Sequence, residues 1–309
     1  MKIAILGAGA MGMLFGGYLS QKNEVTLVDI DVDRVAKISS AGVKIREHNG
    51  IDHIFRPAAV CDSENLEQMD LVIVFVKSMY TESALQANRR LIGPDTYLMT
   101  LQNGAGHESR LIKFTDAEHI IIGSTQHNSS IIGNGYAYHG GCGLTSIGLL
   151  RGSNDKLEEI AKNFSACGFE CVISKAIKAQ IWNKLFTNTA ASSLTAVLQV
   201  PLGFIYEDAC AKEIMHALCR EAVRVANAEG YANFDEQQVI MDVEEVCKNA
   251  PDGYTSIYAD VKRGACSEVD TISGSVIDAA KEMKIAVPYH EMIVLLIHAL
   301  EHKMKDRIS

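Results

Sequence analysis

The segment IWNKLFTN at 181–188 places a lysine and an asparagine four residues apart among apolar side chains. Residues i and i+4 of an α-helix share one face, so Lys184 and Asn188 would lie one above the other, with Ser192 a further turn along. Many polar stripes of this kind are solvated surfaces. Here the apolar neighbours leave little polar surface, so we expect the stripe to line a cleft.

The glycine-rich segment GAGAMG at 7–12 fits the pattern GxGxxG, directly after the apolar run KIAIL and directly before a helical stretch. In this context the first glycine allows a tight turn, the second lets a pyrophosphate approach backbone N–H groups, and the third allows close helix packing. We therefore expect dinucleotide binding. The candidate residues are Gly7, Ala8, Gly9, Ala10, Met11 and Gly12.

An acidic residue, Asp29, follows 22 residues after Gly7, at the end of the second apolar run. A carboxylate at this position accepts hydrogen bonds from the adenosine ribose and repels the 2′-phosphate of NADP. Arg34, five positions on, offers the alternative, because it would attract that phosphate if the turn folds back. The expected cofactor is therefore NAD(P)H, with NAD(H) favoured by Asp29.

The first part of the chain alternates short apolar runs with helical patterns. The runs are KIAIL (2–6), EVTLVDI (24–30), DLVIVFVKS (70–78), TYLMTLQN (96–103) and HIIIGST (119–125). Fully apolar strands separated by helices predict a parallel sheet covered on both faces. The glycine-rich segment 131–150 predicts antiparallel strands and turns, and 153–168 predicts a helix.

From about Lys175 onward strand patterns give way to helical patterns. We therefore predict an α/β fold with two domains. Residues 1–174 would form an N-terminal Rossmann-type doubly wound sheet that binds the dinucleotide. Residues 175–309 would form an all-α C-terminal domain that carries substrate binding and catalysis.

Composition and charge exclude several functions. A net charge of −9 argues against a nucleic-acid partner. Eight cysteines without CxxC pairs predict reduced thiols, and no metal site is expected. The apolar run at 293–300 is too short to span a bilayer, and a strand from Lys2 leaves no room for a signal peptide. We expect a cytoplasmic protein without a membrane partner.

Four separated motifs follow one another along the whole chain. They are GAGAMG at 7–12, VKS at 76–78 with LQNGAG at 101–106, IWNKLFTN and its continuation at 181–196, and TSIYADVKRGACSEVDTISG at 255–274 with IAVP at 285–288. In this order and spacing the chain resembles the ketopantoate reductase (2-dehydropantoate 2-reductase) family. The resemblance implies reduction of the ketone of a 2-oxo acid by a nicotinamide cofactor, with NADP(H) as the family default.

The resemblance also implies roles for single residues. Lys184 matches the proton donor of the family and Asn188 a substrate-binding asparagine. The further matches are Asn103 beside the nicotinamide, Lys77 on the cofactor side, Ser256 on the substrate carboxylate and Glu268 aligning substrate and cofactor. Hydride arriving at a carbonyl carbon creates an alkoxide, which a nearby ammonium stabilises and protonates. Burial would lower the pKa of the lysine towards neutrality, whereas Glu268 would raise it.

The segment 256–283 has the pattern of one long helix, although Gly264 would weaken its middle. Ser256 and Glu268 lie twelve residues apart, a little over three helical turns. On one helix both side chains would face the same cleft.

Two positions depart from the family pattern. Ser192, a candidate substrate contact, stands where well-known members have a second asparagine, and Leu202 replaces the asparagine of a Pro-Asn-Gly segment. Together with Asp29 these departures resemble the NAD-dependent D-2-hydroxy acid dehydrogenases of D-mandelate type within the family. Such a dehydrogenase is one alternative function, and a non-catalytic NAD(P) redox sensor is another.

Three histidines, His127, His139 and His290, could each hold a proton or a metal. His127 follows a strand that points at the expected cleft, which favours it over the other two as a substrate or cofactor contact. The sequence leaves open which 2-oxo acid is used, the physiological direction and the oligomeric state, with a homodimer as one alternative.

Overall fold

The computed structural model describes residues 1–305 of the chain. These residues form two compact units. The first contains Met1–Gln102 and His107–Ile177, and the second contains Asn103–Gly106 and the chain from Lys178 onward. Across the described residues, none of the helices combines the length and apolar character that crossing a membrane requires.

Two sheets build the first unit. Its strands are β1 (Lys2–Leu6), β2 (Glu24–Val28), β3 (Val43–Glu47), β4 (Asp52–Phe55), β5 (Ala58–Val60), β6 (Leu71–Val74), β7 (Tyr97–Thr100), β8 (Ile120–Thr125), β9 (Asn128–Gly133), β10 (Tyr136–Gly141), β11 (Thr145–Leu149) and β12 (Cys171–Ile173). Its helices are α1 (Ala10–Leu19), α2 (Val32–Ala41), α3 (Thr81–Ala87), α4 (Glu108–Leu111) and α5 (Asp155–Ala166).

The larger sheet has the strand order β12-β11-β8-β7-β6-β1-β2-β5. The strands from β5 to β8 are all parallel, and β11 runs antiparallel to β8. All four residues of β6 are buried, as expected of a strand that is covered on both faces. β1 lies between β2 and β6, so the sheet grows from β1 first on one side, with β2, and later on the other, with β6. The carboxyl end of β1 is therefore the topological switch point, where doubly wound folds bind ligands. The predicted Rossmann-type fold is confirmed.

The smaller sheet has the order β4-β3-β10-β9, and β9 pairs antiparallel with β10 as the 131–150 pattern predicts. The antiparallel hairpin of β3 and β4 was not predicted from the sequence. Its turn contains Asn49 and Gly50, with a φ of 83° at Gly50, and the backbone N–H of Glu47 donates to Ile51 at 2.8 Å. An Asn-Gly pair between strand-forming residues is a strong hairpin signal.

The second unit is built from helices. They are α6 (Ile177–Thr187), a π-helix (Asn188–Ser192), α7 (Ser193–Leu198), α8 (Leu202–Glu207), α9 (Ala209–Glu229), α10 (Glu236–Asn249), α11 (Ser256–Lys262), α12 (Val269–Met283) and α13 (Pro288–Lys305). The long helix α9 supplies Leu218, Cys219 and Ala222, all fully buried, to one apolar core. The expectation of a helical C-terminal region is confirmed.

The predicted single helix over 256–283 is wrong, because α11 ends at Lys262 and α12 begins at Val269. Gly264 has a φ of 72°, and the backbone N–H of Ala265 donates to the carbonyl of Asp260 at 2.9 Å. This is the hydrogen bond that closes a helix through a left-handed glycine. Ser256 and Glu268 are therefore on separate helical segments and do not share a helix face.

Candidate active site

The GAGAMG loop joins β1 to α1. Gly9 is the N-cap of α1, and a Cβ added there would meet no atom within 4 Å. A Cβ on Gly12 would overlap the carbonyl oxygen of Gly7, so this glycine allows the helix to pack against the loop. The first turn of α1 has no acidic residue, and no side chain caps it. Open space over a helix N-terminus fits a pyrophosphate.

Asp29 follows β2 and lies against this loop. Its Oδ2 accepts a hydrogen bond from the backbone N–H of Ala8 at 2.6 Å, and its Oδ1 accepts one from Asp31 at 2.9 Å. Arg34 folds back, with Nη1 3.2 Å from Oδ2 of Asp29 and Nη2 2.9 Å from Oδ2 of Asp31. Two carboxylates and one guanidinium therefore surround the position expected for the adenosine ribose.

Lys77 lies in the loop after β6, immediately before a 3₁₀ turn, Ser78–Tyr80, and is partly buried. The side chain of Gln102, at the end of β7, donates to the carbonyl of Val76 at 2.6 Å. The loops that follow two neighbouring parallel strands are thus tied together within the first unit.

Asn103 lies in a short segment that packs against α12 in the second unit. The backbone N–H of Ala105 donates to the carbonyl of Thr271 at 3.0 Å. Gly104 has a φ of 102°, and a Cβ on it would overlap the same carbonyl, so this close approach requires glycine. Because the N–H of Thr271 donates to the carbonyl of Glu268 at 3.1 Å, the segment lies beside the turn that carries Glu268.

Lys184 lies in the last turn of α6 and is partly buried. Burial lowers the pKa of its ammonium to about 8, and the negative charge of Glu268 acts in the opposite direction. Glu268 precedes α12, but its side chain does not cap that helix. An ammonium with this pKa is still mostly protonated at neutral pH and is a stronger acid than a solvated lysine.

Asn188 begins the π-helix and is partly exposed. The predicted α-helical stripe of Lys184, Asn188 and Ser192 is therefore wrong beyond Asn188, because a π-turn bonds i to i+5 and changes the rotation per residue. Ser192 is only 6% exposed. Single π-turns within helices occur frequently at functional sites, but no pattern in the sequence marked this one.

Ser256 is the exposed first residue of α11. The preceding Thr255 caps this helix, and its hydroxyl donates to the carbonyl of Ser192 at 3.3 Å. The start of α11 is thus attached to the end of the π-helix, which brings Ser256 and Ser192 into one region. Leu202, in contrast, belongs to the apolar core and its N–H donates to Gly253.

His127 and His139 form a hydrogen-bonded pair in the first unit. The Nδ1 of His127 lies 3.0 Å from the Nε2 of His139, whose Nδ1 lies 2.7 Å from the carboxylate of Glu47. Burial lowers the pKa of His127 to about 4, so its imidazole is neutral. Cys142 Sγ lies 3.7 Å from His139, so three potential metal ligands meet here and the absence of a metal site stays a prediction.

Comparisons with known proteins cover both units. Residues 3–152 match the family model "Ketopantoate reductase PanE/ApbA", and residues 176–301 match its C-terminal model. A 2-dehydropantoate 2-reductase of Halobacterium salinarum is 30% identical over 93% of this chain and 95% of its own length, and one of Lactococcus lactis is 30% identical over 99% and 100%. A D-mandelate dehydrogenase structure with NADH and anilino(oxo)acetate is 31% identical over 99% of both chains, with a TM-score of 0.92.

Proposed function

The chain belongs to the ketopantoate reductase family, and we propose that it reduces the ketone of a 2-oxo acid with hydride from a nicotinamide cofactor. The observation that carries this proposal is the partly buried Lys184, whose pKa of about 8 suits a proton donor. The proposed substrate is 2-dehydropantoate, the compound named in the curated relatives.

The proposed mechanism assigns the proton step to Lys184. A bound nicotinamide cofactor would supply hydride for the carbonyl carbon, which would place negative charge on the carbonyl oxygen. The ammonium of Lys184 stabilises this charge and donates its proton to the oxygen. The negative charge of Glu268 favours the protonated ammonium, because it raises the pKa that burial has lowered.

The other candidate residues would hold the reactants. We propose that the GAGAMG loop binds the pyrophosphate, and that Lys77 and Asn103 contact the cofactor. Asn188, Ser192 and Ser256 would bind the 2-oxo acid. The burial of Ser192 restricts any such contact to a small part of its side chain.

A panel of substrates tests the proposal. Ketopantoate, 2-oxoisocaproate and phenylglyoxylate would each be assayed with NADH and with NADPH. A kcat/KM that is highest with ketopantoate supports the leading function. If none of the three compounds is turned over, the proposal is contradicted. A preference for phenylglyoxylate supports a D-2-hydroxy acid dehydrogenase. This second function is favoured by the similarity to D-mandelate dehydrogenase and by the apolar Leu202.

We further propose that NADH binds more tightly than NADPH, and that Asp29→Ala reduces this difference at least about tenfold, ~1.4 kcal/mol. The substitution removes one carboxylate and leaves Arg34 paired with Asp31, so that the group facing a 2′-phosphate changes from net negative to neutral. Titration by fluorescence quenching measures both dissociation constants. The matched control is Asp33→Ala, an exposed aspartate in the first turn of α2. Tighter NADPH binding to the unaltered protein would contradict the preference.

Ser256→Ala is expected chiefly to raise KM for the 2-oxo acid, by the equivalent of about 1–3 kcal/mol for a hydrogen bond to a charge. Turnover should change little, because the bond to the substrate carboxylate is present in both ground and transition states. Steady-state kinetics checks this, with Ser275→Ala on α12 as the serine control. An unchanged KM would remove Ser256 from the site.

We also propose that the protein works in the cytoplasm. All eight cysteines are free thiols, as a reducing compartment would keep them. A homodimer stays a prediction, and light scattering of the purified protein would test it.

A further inference from the structure

A continuous chain of buried polar side chains lies beneath the π-helix of the second unit. Glu221 and His290 meet through Oε2 and Nδ1 at 2.9 Å, and the Nε2 of His290 lies 2.9 Å from the hydroxyl of Thr189. The Thr189 hydroxyl lies 3.1 Å from that of Ser273, which lies 2.8 Å from that of Ser193. We call these five residues the buried polar chain.

The members of the buried polar chain come from separate elements. Glu221 is on α9, Ser273 on α12 and His290 on α13, while Thr189 and Ser193 lie within and just after the π-helix. None of the five is more than 3% exposed. A buried polar group without a partner costs about 1–3 kcal/mol of folding free energy. An arrangement of these elements that breaks several of these hydrogen bonds would therefore carry that cost several times.

The donors and acceptors of the chain run in one direction. The carboxylate of Glu221 can only accept, so Nδ1 of His290 donates to it, as do the backbone N–H groups of Tyr289 and His290 at 3.1 Å. Burial lowers the pKa of His290, so its imidazole is neutral and Nε2 accepts from Thr189. Thr189 then accepts from Ser273, and Ser273 accepts from Ser193. With this tautomer of His290, the hydroxyls of Thr189, Ser273 and Ser193 all donate towards the Glu221 end.

The buried polar chain contacts the π-helix at both of its ends. Thr189 directly follows Asn188, and Ser193 directly follows Ser192. With both hydroxyls turned into the core and bound to the same Ser273, the rotation of the π-helix about its axis is fixed. That rotation sets the direction of Asn188 relative to Lys184, one helical turn earlier.

We propose that Thr189, Ser273 and His290 are positioning residues for the reduction: through the buried polar chain they hold the π-helix so that Asn188 faces the substrate beside Lys184. The inference rests on the proposed function. It adds that a hydroxyl without any contact to substrate or cofactor determines how well the substrate is aligned.

The test compares two substitutions of one residue. Thr189→Val keeps the shape and removes the hydroxyl, whereas Thr189→Ser keeps the hydroxyl. We expect Thr189→Val to lower kcat/KM for the preferred 2-oxo acid about 10–100-fold, through misplacement of Asn188, with an unchanged dissociation constant for NADH. The kcat/KM of Thr189→Ser should stay within about threefold of that of the unaltered protein, because the hydroxyl that bonds to Ser273 and His290 is retained.

Thr96→Val is the matched control for lost stability. Thr96 is a buried threonine of the first unit whose hydroxyl donates to the carbonyl of Met69 at 2.6 Å. This variant should lose stability without losing kcat/KM. Unchanged kcat/KM in Thr189→Val, or an equal loss in Thr96→Val, would overturn the inference while the proposed function stands. Ser273→Ala removes the hydroxyl that bonds to both Thr189 and Ser193 and is a smaller change. Its kcat/KM replaces that of Thr189→Val in the test if Thr189→Val does not fold.

Amide hydrogen exchange supplies a readout that does not depend on turnover. Peptides covering residues 188–193 should exchange faster in Thr189→Val than in the unaltered protein or in Thr189→Ser, while α10 serves as the internal reference in the same unit. If the unaltered protein reduces none of the 2-oxo acids, the proposed function fails. Even then, unchanged exchange at 188–193 separately overturns the role of the chain in holding the π-helix.

Discussion

Lys184→Ala is expected to lower turnover of a 2-oxo acid by about 10²–10⁴-fold, the range that follows removal of a general acid. The alkoxide formed by hydride transfer would lose both its counter-charge and its proton source. Affinity for NADH should change little, because the residues that we propose to bind the dinucleotide, the glycine loop and Asp29, lie in the first unit. Steady-state turnover and fluorescence titration of NADH measure the two quantities.

Two further variants separate proton transfer from charge and from folding. Lys184→Arg keeps a cation that does not release its proton near neutral pH, so turnover should remain low. Lys178→Ala removes a lysine from the same helix α6, one that donates to Tyr231, and should retain turnover. Near-normal turnover in Lys184→Ala would show that the proton comes from another group. An unaltered protein that binds NADH without turnover would favour the redox sensor.

The second large effect is expected for Glu268→Gln, which should lower kcat/KM about 10²-fold because substrate and cofactor lose their alignment. Its pH profile gives a sharper test. In the proposed mechanism the acid form of Lys184 is the active one in reduction, so kcat/KM of the unaltered protein should fall as pH rises through about 8. Since the charge of Glu268 raises that pKa, removing the charge should move the decline to lower pH.

Initial rates from pH 6 to pH 10 would measure this shift. Asp270→Asn is the matched control, because Asp270 is an exposed carboxylate in the first turn of α12 that bonds to His298. The control should leave the decline where it is. A profile that is identical in Glu268→Gln and the unaltered protein would mean that the two charges are not coupled during catalysis.

Local patterns were sufficient to predict much of the first unit. GAGAMG followed by Asp29 predicted the loop, the helix and the strand end that the structure brings together, because each depends on neighbouring residues. The hairpin at Asn49 and Gly50 was missed although its turn signal was present. The larger sheet was recognised as parallel because its strands are apolar on both faces.

Local sequence patterns failed to predict two features of the second unit. Helical periodicity continues across Gly264, so the pattern predicted one helix where the backbone reverses at a positive φ. The π-helix at Asn188 was also missed, since its wider turn is stabilised by hydroxyls that contact residues about eighty to a hundred positions away in sequence. Tertiary hydrogen bonds of this kind leave no periodic signal.

The attachment of Ala105 to Thr271 has a consequence for biosynthesis. The segment 103–106 leaves the ribosome between two strands of the sheet, but its partner is synthesised about 165 residues later, which is roughly 10–30 s at about 5–20 residues per second. Until then the early part of the chain must form its sheet around a segment that belongs elsewhere. For the same reason, a fragment starting at Lys178 would lack the strand-connecting piece that pairs with the first turn of α12. The turn that carries Glu268 therefore depends on a segment that is synthesised with the first half of the chain.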